Sequence, residues 1–175
     1  MTANALAATI QASIDQVKQN PAAATATYKA KVLLDKGVQC SAFVRKFPAI
    51  IVDEPAYLGG NDAGPNPVEY LLVSLGACQE IVYSIYAAMM GIELDAVTVY
   101  VKGTLDVRGF MGEDGIPPGY QKITFETRIE SQSDPKDIEK LVHTVEACCP
   151  TMDTIRRPVE IQGKAFLNNE LIATV

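Results

Sequence analysis

Two cysteines stand where a thiol could act as a nucleophile. Cys78 falls in the middle of a long apolar stretch, and Cys149 stands at a helix end immediately before Pro150. The thiolate is the reactive form, and an apolar setting raises a thiol's pKa unless a cation or hydrogen-bond donor is near. At helical spacing the neighbours of Cys78 are Leu71, Ser74, Leu75, Ile81 and Val82. Cys78 lies about three turns past Pro67, beyond the reach of the helix dipole. A reactive thiolate there must be activated from outside its own helix. Arg is the natural supplier, because it stays charged and donates in a fixed fork. Read by composition alone, the same cysteine is a small core residue.

The nearby carboxylates face away. Glu69 precedes Cys78 by nine residues, and nine steps of about 100° put it on the opposite side of a straight helix. Glu80, two residues on, also points elsewhere. Either could reach the thiol only through a kink at Gly76 or across a subunit boundary. Taken alone, Glu69 equally suits an N-terminal acid that favours the helix dipole. Cys148-Cys149 is no metal signature, and the sole histidine, His143, reads as a surface residue. Cys40 reads as a packing or surface thiol. No phosphate-binding glycine loop, Gly-x-Ser-x-Gly elbow or His-Glu-x-x-His occurs, so kinase, hydrolase and dehydrogenase readings gain no support and no cofactor is expected.

The elements that must position these thiols follow from the pattern. A helix is expected over residues 4–20, with Leu6, Ile10, Ile14 and Val17 on one face and Pro21 ending it. Alternating residues 25–34 and 38–47 form a hairpin around Asp35-Lys36-Gly37, and residues 48–52 add a short third strand. Residues 53–67, with three Pro and three Gly, are a loop. Asn66 caps the next helix, Pro67 takes its first position, and Gly91 ends it near Met90. Its apolar side chains occupy nearly every face, which marks it as central and buried. Strands over 95–107 and 121–131 pair around a Gly/Pro-rich loop, with Ile123, Phe125, Thr127 and Ile129 on one face. A helix opening at Asp134-Pro135 turns Ile138, Leu141, Val142 and Val145 inward and breaks at Cys149-Pro150. A short turn over 151–155 and a last strand over 159–167 complete the chain. Strands grouped in hairpins fit an α+β fold, one domain over 1–175 with a helical extension at 1–21.

Composition supports this picture. The chain has 175 residues, 48% hydrophobic and 21% charged, enough to fill one core. Its net charge of −6, with basic runs no longer than Arg45-Lys46 and Arg156-Arg157, argues against nucleic-acid binding. Residues 71–92 are long enough to span a bilayer, but Gln79-Glu80 falls near the middle and no Lys or Arg lies between Lys46 and Lys102. A buried helix, shared across a dimer, is the expectation. Four cysteines without an apparent export signal read as cytoplasmic thiols.

The block Asp53-Glu54-Pro55…Leu58-Gly59-Gly60…Gly64-Pro65-Asn66-Pro67-Val68-Glu69-Tyr70-Leu71-Leu72…Leu75-Gly76-Ala77-Cys78, followed some way on by Cys149-Pro150, resembles the OsmC/Ohr family, the osmotically inducible and organic hydroperoxide resistance proteins, and within it the broader OsmC-like branch. The resemblance implies antiparallel sheets packed around two core helices in an intertwined homodimer. It implies a thiol peroxidase in which Cys78 attacks an organic hydroperoxide, Cys149 resolves the sulfenic acid as a disulfide, and a dithiol, of lipoyl type in the family, restores the pair. The apolar neighbours of Cys78 themselves suit an alkyl hydroperoxide better than hydrogen peroxide.

The chain departs from the family pattern around the cysteines. Family peroxidases typically carry an acid directly after Asn-Pro, where this chain has Val68; Glu69 matches a second acid found in some members. The family's activating arginine comes from the preceding segment, where this chain has Arg45, and Lys36 is a further cation. The retained cysteines favour a peroxidase. Val68 favours an OsmC-like protein without efficient peroxidase activity, which binds an apolar ligand or senses oxidants. A structural dimer with inert thiols is the third reading.

Overall fold

The computed structural model describes residues 2–175. Helix α1 (Ala3–Gln19) is capped by Thr2, whose hydroxyl accepts from the Ala5 N–H, and ends at Asn20, before a single 3₁₀ turn over Pro21–Ala24. Strands β1 (Lys31–Lys36), β2 (Gln39–Phe43) and β3 (Ile50–Val52) form one antiparallel sheet in that order. Lys36 pairs with Gln39 around a two-residue turn in which Gly37 takes φ 62°, the left-handed geometry that matches strand twist. Residues 25–30, expected to belong to the first strand, are extended without a ladder partner, and β2 stops four residues early, before the turn holding Arg45 at φ 52°.

The loop from Asp53 to Asn66 is pinned from within. Asp53 is 1% exposed, and its carboxylate accepts from the N–H groups of Glu54, Asn61 and Ala63. Asn66 then starts helix α2 (Pro67–Met90) through a capping box: its Oδ1 accepts from the Glu69 N–H, and Glu69 Oε2 accepts from the Asn66 N–H. Gly91, at φ 70°, ends the helix in the left-handed conformation.

Helix α2 lies on the long hairpin of β4 (Ala96–Leu105) and β5 (Tyr120–Glu130), which is joined through the short helix α3 (Val107–Phe110). Gly76 permits close approach, since a β-carbon there would stand 3.3 Å from Val101 Cγ2. Helix α4 (Pro135–Cys148) packs beside α2, and α5 (Pro150–Arg156) follows with only Cys149 between them. Val82, Tyr83, Ala87, Ile92, Leu141 and Val145 form one buried cluster; Leu75, Cys149 and Met152 form a second. The fold is α+β, with small antiparallel sheets and α2 and α4 as its core helices.

Two expectations need correction. The last strand begins at Lys164, not at residue 159, and a further strand follows: β6 (Lys164–Leu167) pairs with β7 (Glu170–Thr174) around Asn168-Asn169, both at positive φ. Helix α2 is not buried all round within one chain. Leu75, Gly76, Gln79, Val82, Tyr83 and Ala87 are buried, but Val73 is 56% and Ile81 59% exposed, because β4, α4 and α1 together leave part of the helix uncovered. The helix is long and apolar enough to cross a membrane, yet it packs here as a core helix, and Glu80 near its middle accepts a hydrogen bond from the Val99 N–H of β4.

Candidate active site

The fold brings Cys78 and Cys149 together. Cys78 sits halfway along α2 at the join of the two apolar clusters, half-buried among Leu75, Val82, Val101 and Phe125. Cys149 is the single non-helical residue between α4 and α5 and is 1% exposed. Pro150 forces this break, because its ring cannot continue α4 yet suits the first position of α5. The break turns the Cys149 thiol onto Cys78, to which it donates across 3.4 Å. Both are free thiols, and closure to a disulfide requires the sulfurs to reach about 2.05 Å.

The electrostatics distinguish the two sulfurs. Burial pushes the Cys78 thiol up, but the Thr151 hydroxyl, the Thr151 N–H and the Cys149 thiol outweigh it and hold Cys78 below its ordinary value. Burial pushes Cys149 up, and the neighbouring Cys78 sulfur adds to this against the N–H groups of Met152 and Thr151. Cys78 is therefore the sulfur prepared to ionise, and Cys149 the one that keeps its proton and donates it.

The charged candidates lie elsewhere in the subunit. Arg45 is exposed in the turn after β2, its guanidinium 4.6 Å above the Phe47 ring. Lys36 is exposed at the end of β1. Glu69 is engaged in the capping box at the start of α2, and the helix runs unbroken through Gly76, so no kink carries this carboxylate toward Cys78. Among the described residues, no cation is one of the groups that shift Cys78. Thr151 takes that place, a residue that the sequence pattern does not single out. Its signal was present in the sequence: a hydroxyl residue directly after Cys149-Pro150, where a new helix opens with unpaired N–H groups.

Two further features border the thiols. Gln79, next to Cys78, is 1% exposed and its side-chain amide has no hydrogen-bond partner among the described residues. A cavity of about 580 Å³ opens at the N-terminal end of α2, where Val68, Leu72, Leu105, Phe110 and Tyr120 form an apolar wall beside Glu54. Neither cysteine lines it. The Tyr120 hydroxyl donates to the Val68 carbonyl at 3.0 Å and ties β5 to this end of the helix.

The family model described as OsmC-like protein matches residues 59–164. Among solved structures, the chain is similar to an OsmC-like protein from Mycoplasma pneumoniae, with 21% identity over 75% of this chain and 88% of that one and a TM-score of 0.64. An organic hydroperoxide resistance protein OsmC from Legionella pneumophila gives 20% identity over 75% and 90% of the two chains, with a TM-score of 0.58. An organic hydroperoxide resistance protein from Elizabethkingia anophelis gives 19% identity over 75% and 89%, also with a TM-score of 0.58. No curated protein matches the chain.

Proposed function

Because the chain belongs to the OsmC-like protein family, we propose that it is a thiol-dependent peroxidase that reduces organic hydroperoxides through Cys78 and Cys149. The observation carrying this reading is the 3.4 Å approach of two sulfurs whose acidities are shifted in opposite directions. The Cys78 thiolate attacks the terminal oxygen of ROOH. The O–O bond breaks, the alkoxide leaves as ROH with a proton, and Cys78 becomes a sulfenic acid. Cys149 then attacks that sulfur, water departs, and the Cys78–Cys149 disulfide forms. A dithiol restores both thiols and is itself oxidised to a cyclic disulfide. The apolar residues around Cys78 favour an alkyl chain over hydrogen peroxide, and a lipoyl-type dithiol is the reductant suggested by the family.

The working unit in this reading is a cytoplasmic homodimer. Support comes from apolar surface that one chain leaves open: Val73 and Ile81 on α2, Leu34 on β1 and Ile172 on β7 are each more than half exposed. Arg45 and Glu69, which stand away from Cys78 in their own subunit, enter the site in this reading from the second subunit.

A second reading has its own observation. Val68, standing where the family's peroxidases carry an acid, lines the apolar cavity at the start of α2, which suits a protein that binds an apolar ligand and turns over peroxide poorly. Turnover of cumene hydroperoxide with dihydrolipoamide separates the two. The peroxidase reading expects consumption well above the free dithiol, lost in Cys78→Ser. A wild-type protein no faster than free dithiol leaves the binding reading.

A further inference from the structure

Cys148 has no part in the two-thiol scheme, yet it stands at its edge. Of the four cysteines it is the exposed one, whereas its neighbour Cys149 is 1% exposed. Cys148 is the last residue of α4 and Cys149 the joint before α5, fixed by its N–H to the Val145 carbonyl at 2.9 Å and by the Asp153 N–H on its own carbonyl at 3.0 Å. The Cys148 sulfur, ahead of burial, pushes the hydroxyl of Tyr86, two turns beyond Cys78 on α2, above its ordinary value. Cys148 opens onto a shallow recess on the outer face of α4 lined by Lys140, His143 and Thr144. Cys149 and Cys148 thus stand side by side at one helix joint, the first facing Cys78 on α2 and the second at the surface.

Once Cys78 and Cys149 are linked, an outside dithiol must approach in line with a bond of which one sulfur, Cys149, is buried and the other, Cys78, half-buried. Resting on the peroxidase reading, we propose that Cys148 is the surface outlet of a three-thiol relay that carries the disulfide from Cys78–Cys149 to Cys148–Cys149. The Cys148 thiolate attacks Cys149 Sγ, the Cys78–Cys149 bond breaks, and Cys78 leaves as a thiolate. The outside dithiol then attacks Cys148 Sγ and Cys149 leaves, taking a proton. The second thiol of the reductant displaces Cys148 and closes its own disulfide, so the two hydrogens of the dithiol end on the protein. The donors around Cys78 make it the better leaving group of the pair, which favours the transfer. Adjacent residues, about 3.8 Å apart at Cα, are closer than the roughly 4.4–6.8 Å of relaxed disulfides, so strain in a Cys148–Cys149 link opposes the transfer itself and speeds the reduction that follows.

The test starts from disulfide made with diamide, independently of any peroxide. Wild type and Cys148→Ser are oxidised, mixed with dihydrolipoamide, quenched by alkylation at short times and mapped by mass spectrometry. The relay expects Cys148→Ser to regain its thiols at least tenfold more slowly. It also expects an early wild-type species with Cys78 alkylated while Cys148 and Cys149 remain joined. Equal reduction rates overturn it, as does the absence of that species. Failure of diamide to join Cys78 to Cys149 overturns the relay and the peroxidase reading together. A relay that operates after diamide in a protein that alkyl hydroperoxide leaves reduced removes the peroxidase reading alone.

Discussion

Cys149 ends α4 and opens α5 with its backbone alone, and its side chain caps neither helix; the thiol is left free to donate to Cys78, 71 positions earlier in the chain and 3.4 Å away in space. A helix break thus sets the position of the thiol. Pro150 supplies the break, Met152 and Leu75 close the core around it, and Thr151 brings a hydroxyl and an N–H to the sulfur on α2.

Thr151 accounts for part of the acidity of Cys78, so Thr151→Val, of similar size but without the hydroxyl, should raise the pH at which Cys78 alkylates. Losing a donor to the thiolate disfavours the charged form. Iodoacetamide labelling of Cys78 across pH should shift upward in Thr151→Val and return toward wild type in Thr151→Ser. At neutral pH the variant should react several-fold more slowly. An unchanged profile in Thr151→Val would remove the hydroxyl from the account.

Asp53 should make the fold acid-sensitive. Burial pushes its carboxyl up, but the N–H groups of Asn61, Ala63 and Glu54 outweigh this and hold it below the ordinary value. A carboxyl lowered in the folded state contributes stability above its unfolded pKa, about 3.9, and loses it as pH falls through the folded value. Asp53→Asn should therefore melt a few degrees below wild type at about pH 7, with the gap closing toward about pH 3. A gap independent of pH would assign the loss to packing.

The open face of α2 should be a contact between copies. Val73→Glu with Ile81→Glu, at positions more than half exposed in one chain, should leave the monomer folded by circular dichroism and halve the mass measured by light scattering. A wild-type protein that already runs as a monomer would contradict the dimer.

Much of this architecture was legible because it depends on local chemistry. Asn66, Pro67 and Gly91 delimit α2 as their capping roles require, and the alternation along β5 marks its inward face. Three features were less readable. Asn168-Asn169 makes a hairpin turn because asparagine tolerates positive φ at both positions, a weaker sign than Asn-Gly. The apolar pattern of α2 runs all round, whereas β4, α4 and α1 leave part of the helix uncovered in a single chain. The donor at Cys78 depends on a contact between α2 and α5 that no spacing rule encodes, so the sequence points to a cation where a threonine stands.

The most direct test of the central claim treats the reduced protein with one equivalent of cumene hydroperoxide, followed by alkylation and peptide mapping. The expected result is a Cys78–Cys149 disulfide with Cys40 and Cys148 still alkylated, and in Cys149→Ser a Cys78 sulfenic acid that a dimedone probe captures. Recovery of both Cys78 and Cys149 as free thiols, with the hydroperoxide unconsumed, would contradict it.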